Sequence, residues 1–200
     1  MNKRDVVELL LKTGAVELRT EPEQWFTWAS GKRAPIYCDN RVLISYPEVR
    51  TRIADALAEA IGRGFPEVQV IAGAATGGIP HAAWVAERLE LPMVYVRGSA
   101  KDHGQGKRVE GRKLAGERVV LLEDLVSFGG SALSAVTALR EEGGEVIGVQ
   151  AIFSYGLAEA LRGFEAAGLQ LQVLADYETL VESLELDQDT ARVLLDWKAG

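Results

Sequence analysis

Two hundred residues with a formal net charge of −7 suit one domain and are ample to bury a core of its own. Hydrophobic content of 48% and charged content of 26% exclude a disordered chain, and the acidic balance argues against a general nucleic-acid surface. The single cysteine, Cys38, excludes an internal disulfide and a thiolate metal cage. It reads as the packing thiol of a cytoplasmic protein. No apolar run approaches the length of a membrane span, and Met1 to Lys12 lacks the pattern of a signal peptide, so no membrane partner is expected.

In chain order, Asp5 to Leu11 has the spacing of an amphipathic helix that stops near Gly14. Val16-Glu17-Leu18 alternates as a short strand does. Trp25 to Ser30 reads as a further strand, followed by the turn-prone Ser30-Gly31-Lys32-Arg33, and Ile36 to Asn40 reads as extended. Pro47 fits the first turn of a helix running to about Gly62, with Ala54, Leu57, Ala58 and Ile61 on its apolar face. A regular rhythm then begins with strand Val68 to Ala72, helix Ile79 to Leu89 and strand Met93 to Arg97. After a polar segment, Gly98 to Leu114, come strand Arg118 to Glu123 and helix Ser131 to Glu142. Strand Val146 to Phe153, helix Leu157 to Ala167 and strand Leu171 to Leu174 complete it, and acidic helices near Glu178 to Leu184 and Gln188 to Trp197 follow. Alternating strands and helices imply an α/β fold with a mostly parallel sheet flanked by helices.

The most telling stretch is Val119-Val120-Leu121-Leu122-Glu123-Asp124-Leu125-Val126-Ser127-Phe128-Gly129-Gly130-Ser131. Four apolar residues read as a strand buried on both faces, and two carboxylates follow at its C-terminal end. Ligands of open α/β sheets bind outside the carboxyl ends of the strands. The small residues that come next lead into a helix, so their amides can cradle a phosphate. Acids for hydroxyls beside a phosphate cradle describe a site for a phosphorylated sugar; the bland alternative is a solvated strand end with a tight turn. Ala72 to Gly78 likewise ends a buried strand in small residues and opens a helix, which serves either an anion or close strand–helix packing. In the polar segment, Arg97, Lys101, His103, Lys107, Arg108, Arg112 and Lys113 form a basic island suited to a lid over an anion, or to an ordinary surface loop.

The thirteen-residue stretch resembles the phosphoribosyl pyrophosphate (PRPP) motif of type I phosphoribosyltransferases. Three further segments resemble one branch, the orotate phosphoribosyltransferases. Phe26-Thr27-Trp28-Ala29-Ser30-Gly31-Lys32-Arg33-Ala34-Pro35-Ile36-Tyr37-Cys38-Asp39-Asn40-Arg41 is similar to its N-terminal signature. Ala72-Gly73-Ala74-Ala75-Thr76-Gly77-Gly78-Ile79-Pro80-His81 is similar to its pyrophosphate loop, and Ala100-Lys101-Asp102-His103-Gly104-Gln105-Gly106 to its catalytic lid.

The resemblance implies a single type I phosphoribosyltransferase domain. Residues 1–45 would be mainly a hood, 46–175 the α/β core, 98–114 a mobile lid and 176–200 a helical tail. It implies transfer of the phosphoribosyl group from PRPP to N1 of orotate, giving orotidine 5-monophosphate and pyrophosphate in pyrimidine biosynthesis. Lys101, Asp102 and His103 would be catalytic. Arg97, Lys101, His103, Glu123, Asp124, Ser127, Phe128, Gly129, Gly130 and Ser131 would bind PRPP, with Glu123 and Asp124 on the ribose hydroxyls. Ala74, Ala75, Thr76 and Gly77 would carry pyrophosphate, and Ser127, Arg41, Ile36 and Tyr37 would meet orotate. Mg²⁺ is the expected cofactor, bound mainly through PRPP rather than by a protein cage. A homodimer sharing the lid across its interface is expected as well.

Some members carry lysines where this chain has Ala29, Gly77 and Gly98, and an arginine for the orotate carboxylate where it has Ser154-Tyr155-Gly156. The carboxylate still needs a cationic or amide partner. Arg41 is preferred over Arg33 because it follows the extended Ile36 to Asn40 segment. His81, on an apolar helix start, reads as structural. Alternative functions are a purine or other nucleobase phosphoribosyltransferase, and a PRPP-sensing regulator. A Walker-type hydrolase is excluded by the absence of its phosphate-loop motif.

Overall fold

The computed structural model describes residues 1–28, 30–98 and 107–199. Helix α1 (Lys3–Lys12) begins at a reciprocal cap, in which Asn2 Oδ1 accepts from the Asp5 amide and Asp5 returns the bond to the Asn2 amide. Strand β1 (Val16–Leu18) follows, then two short strands, β2 (Phe26–Thr27) and β3 (Arg33–Ala34), and β4 (Ile36–Cys38). β1 pairs antiparallel with β4, and β2 with β3, so this hood holds two small sheets apart from the main one. The strand expected over Trp25 to Ser30 is confined to two residues. A 3-10 turn over Asn40–Ser45 leads into α2 (Pro47–Gly64), with Pro47 in its first turn.

The core alternates as expected: β5 (Val70–Ala74), α3 (Gly78–Leu89), β6 (Met93–Val96), β7 (Val109–Glu110), β8 (Arg118–Val126), α4 (Gly130–Glu141), β9 (Glu145–Ser154), α5 (Ala158–Ala166) and β10 (Gln170–Asp176). Helices α6 (Tyr177–Glu182) and α7 (Gln188–Ala199) complete the order. The main sheet runs β10-β9-β8-β5-β6-β7, parallel throughout except for β7 at one edge. Strand order reverses between β8 and β5, and a crevice opens there at the carboxyl ends.

Two apolar layers cover the sheet. One gathers Ile53, Leu57 and Ile61 of α2 with Val120 and Leu122; the other gathers Ala135, Val136 and Leu139 of α4 with Val119 and Leu121. Alternation along β8 feeds both, because successive side chains of a strand face opposite ways. α1 contributes Val6, Val7, Leu9 and Leu10 to the first layer, so the N-terminal segment belongs to the same core.

Two expectations need correction. β8 does not stop at Glu123: Leu125 and Val126 pair with Phe153 and Ser154, which carries the strand past both acids. The polar segment is not a free connection from Gly98 to Leu114. Val109 and Glu110 pair with Val96 and Tyr95, and Leu114 is buried, so its far end is fixed to the sheet.

Candidate active site

The crevice at the strand-order reversal is a cavity of about 460 Å³. Its walls come from the hood, the loop after β5, the end of β8 and the residue after β9. Glu123 and Asp124 both reach it, but from opposite faces of β8. Glu123 turns toward the start of α4, where its Oε1 lies 3.4 Å from Ser131 Oγ. Asp124 turns toward α3 and the hood. Burial first, and then the neighbouring Asp124 carboxylate, push Glu123 up to about 8; burial raises Asp124 as well. The strand thus presents two poorly solvated carboxyl groups to the cavity, with the Arg41 guanidinium across it partly offsetting the charge of Asp124.

Ala75, Thr76 and Gly77 line the cavity between β5 and α3, whereas Ala74 is buried behind them in β5. The Ala75–Thr76 peptide is cis. A Cβ on Gly77 would lie 2.2 Å from an Asp124 carboxylate oxygen, so this loop and the acid are packed edge to edge. After β8, Ser127, Phe128 and Ser131 reach the cavity, while Gly129 and Gly130 shape the turn into α4. Gly129 has φ +81° and sits against α5 near Ala160 and Phe164. A side chain there would be strained whatever the space.

On the hood side, Trp28, Ser30, Tyr37, Cys38, Asp39 and Arg41 complete the wall, and Tyr155 faces them from beyond β9. Arg41 is held in a fork by Asp39, Nε to Oδ1 at 2.6 Å and NH2 to Oδ2 at 2.8 Å. The guanidinium holds the Asp39 carboxyl below its ordinary value. Asn40, fully buried between them in sequence, donates Nδ2 to the Asp124 carbonyl at 2.6 Å and accepts from Cys38 Sγ. Hood and β8 are therefore tied together inside the site. Trp28 and Tyr155 pack on each other with ring centres 4.6 Å apart, forming one aromatic wall of a slot in the cavity, and Phe128 meets Trp28 edge-on. Burial raises the Tyr155 hydroxyl and keeps it neutral.

Several residues singled out from sequence lie elsewhere. Ile36 is fully buried, and its carbonyl accepts from Trp28 Nε1, so it supports the wall without forming it. Arg33 donates to the Pro22 carbonyl, away from the cavity. Arg97 stands at the end of β6 facing Glu110 and does not line the cavity. Lys107 and Arg112 are each paired with a carboxylate, and Arg108 bonds Ser134 and the Arg97 carbonyl, so part of the basic island is spent on the fold. Lys101, Asp102 and His103 lie outside the described residues. His81 is fully buried and edge-on to Trp84, with its imidazole pushed down to about 4 by burial, as a packing histidine should be. Trp28, Ser30, Cys38, Asp39, Leu125 and Tyr155 are wall residues absent from the sequence-based assignment. Four of them sit inside the quoted N-terminal signature, where an aromatic or polar residue flanking Tyr37 was the available signal.

Small-residue loops, a pair of poorly solvated acids and an aromatic wall meet at the strand-order reversal, the arrangement of a phosphoribosyl-transferring class, and similarity to known proteins assigns the chain to that class. Residues 45–162 match the family model described as the phosphoribosyl transferase domain. The orotate phosphoribosyltransferase of Bacillus caldolyticus is 56% identical over 181 residues, covering 90% of this chain and 86% of that one. That of Fusobacterium nucleatum is 47% identical over 205 residues, covering 99% and 96%. Among solved structures, the orotate phosphoribosyltransferase of Aeropyrum pernix superposes with a TM-score of 0.77 at 32% identity, covering 88% of this chain and 96% of that one. The Mycobacterium tuberculosis enzyme in complex with PRPP gives 0.67 at 25% identity, covering 89% and 98%. The chain belongs to the orotate phosphoribosyltransferases.

Proposed function

We propose that the cavity binds PRPP on its β8 side and orotate on its hood side, and joins N1 of orotate to C1 of the ribose. The C1–oxygen bond to pyrophosphate breaks with its electron pair leaving on pyrophosphate, and the N1 proton is released. The observation that carries this reading is the juxtaposition of Glu123 and Asp124 with two small-residue loops on one side and the Trp28–Tyr155 slot on the other. Glu123 and Asp124 accept from the ribose hydroxyls, and Ser127 to Ser131 hold the 5-phosphate at the start of α4. Ala75 to Gly77 offer backbone to pyrophosphate. Lys101 and His103 stabilise the charge gathering on it, and Asp102 orders the closed lid. Arg41, Tyr37 and Ser127 meet the planar base.

Among the described residues no three His, Cys, Asp or Glu side chains converge as a metal cage. Glu123 and Asp124, on opposite faces of one strand, do not converge on one ion and are left to the ribose hydroxyls, so Mg²⁺ would be held mainly by the phosphates of PRPP and by water. So held, the ion would neutralise charge on the pyrophosphate group.

The test is the ultraviolet loss of orotate with PRPP and Mg²⁺, run beside hypoxanthine, uracil and xanthine. Orotate alone should be consumed, and chelation of Mg²⁺ should stop turnover. Consumption of another base instead would replace the acceptor. Arg41→Ala should weaken orotate about tenfold or more, the loss expected when a charged partner of a carboxylate is removed; unchanged affinity would exonerate Arg41.

A further inference from the structure

The aromatic slot has a fourth ring behind it that does not touch the cavity. Trp197 of α7 is 8% exposed, and its Nε1 donates to the Arg33 carbonyl of β3 at 2.7 Å, across 164 positions of chain. Its ring meets Trp28 edge-on at 5.6 Å and Tyr155 edge-on at 6.3 Å. From the other side, Lys32 of the hood turn stands over it at 5.2 Å. Trp197 thus grips the β2–β3 hairpin by its backbone, its turn by a cation, and both slot rings by their edges.

The helix bearing it is itself anchored. Tyr177, fully buried on α6, donates its hydroxyl to the Leu194 carbonyl at 3.0 Å and packs on Trp197 at 5.2 Å. Lys198 pairs with Glu178 at 2.7 Å. A two-residue pairing such as β2–β3 is too short to hold its own geometry in water. Neither α7 nor the hairpin falls within residues 45–162 of the family match. Rings from the first 28 residues and from the last helix thus meet Tyr155 and Phe128 of the core at the hood side.

We propose that Trp197 is a positioning residue for the base: it fixes the hairpin and the packed Trp28–Tyr155 pair as the slot wall against which a planar pyrimidine lies. This rests on the assignment of the hood side to orotate. Bracing the slot is a cost removed before binding, so it raises base affinity without touching the base. By reciprocity, a base seated in the slot steadies α7.

The experiment measures kcat and KM for both substrates in the full-length chain, as wild type, Trp197→Phe and Trp197→Ala. Trp197→Ala should raise KM for orotate about tenfold while KM for PRPP stays within about twofold and kcat within about threefold. Trp197→Phe keeps a ring but loses the bond to Arg33, and should fall between. Equal rises in both KM values, or a lower active fraction with both unchanged, would mark a residue that only supports the fold and would overturn the proposal. A wild-type readout covers an alanine variant that fails to fold. Orotate, and not PRPP, should slow amide hydrogen exchange across 190–199, and no such slowing would overturn it equally. Should the wild-type chain leave orotate unconsumed, the assignment of the site fails instead, and the two failures are told apart.

Discussion

Glu123 carries a pH signature that its position dictates. Burial beside Asp124 lifts it from an ordinary 4.5 to about 8, so the folded chain keeps a proton that the unfolded chain releases. Stability from that proton is complete below about pH 4.5 and drains away as pH rises to about 8. His81 acts in the opposite sense: its neutral imidazole is buried, so stability is lost as pH falls from 6.5 toward about 4. The two slopes cancel between about pH 4.5 and 6.5, so the unliganded protein should lose stability, read as melting temperature, mainly between about pH 6.5 and 8, by on the order of 2 kcal/mol for one buried carboxyl. Glu123→Gln should flatten that slope while abolishing activity. A melting series across pH that leaves wild type and variant parallel would place the titrating group elsewhere.

The loop after β5 is the element where packing and chemistry meet most closely. Gly77 leaves room for the Asp124 carboxylate, and the lysine some relatives carry there would demand a different placement of the acid. Gly77→Ala should push Asp124 aside and raise KM for PRPP about tenfold, with KM for orotate little changed. Steady-state kinetics with each substrate varied in turn would check it; an unaltered PRPP constant would show that Asp124 rotates away freely. The strands and helices of the core were legible from their periodicity, and the loop–helix junctions at Gly77 and Gly129 from their small residues. The continuation of β8 through Leu125 and Val126 was not, because it depends on pairing with Phe153 and Ser154 rather than on local pattern. Strand β7 escaped for the same reason, since two residues carry no period and are fixed only by β6. The aromatic slot escaped because Trp28, Phe128, Tyr155 and Trp197 lie in four distant segments that only the fold brings together.

At the scale of the whole molecule, the expected homodimer with a shared lid has a decisive test. Lys101→Ala and Asp124→Asn should each be inactive alone. If the lid acts on the neighbouring subunit's site, random mixing of the two variants should restore about one quarter of the wild-type sites, since half the dimers are hybrids with one intact site each. A lid acting on its own subunit restores none. Among the described residues no helix is long and apolar enough to cross a membrane.

Cys38, lodged between the hood and β8, gives this chain a built-in clock. It is the sole thiol, almost fully buried, and its ionisation is suppressed by burial and by the acids around it. An aromatic disulfide reagent must enter the cavity that Cys38 lines or wait for the hood to lift from the sheet, so the rate of its single reaction follows how open the site is. Saturating orotidine 5-monophosphate, which on the proposed assignment would span both halves of the cavity, should slow the reaction more than either phosphate or orotate alone. Labelling as fast in the native protein as in denaturant would mean that the two halves part freely. One atom of sulfur thereby converts the closure of the site into a rate read at a single wavelength.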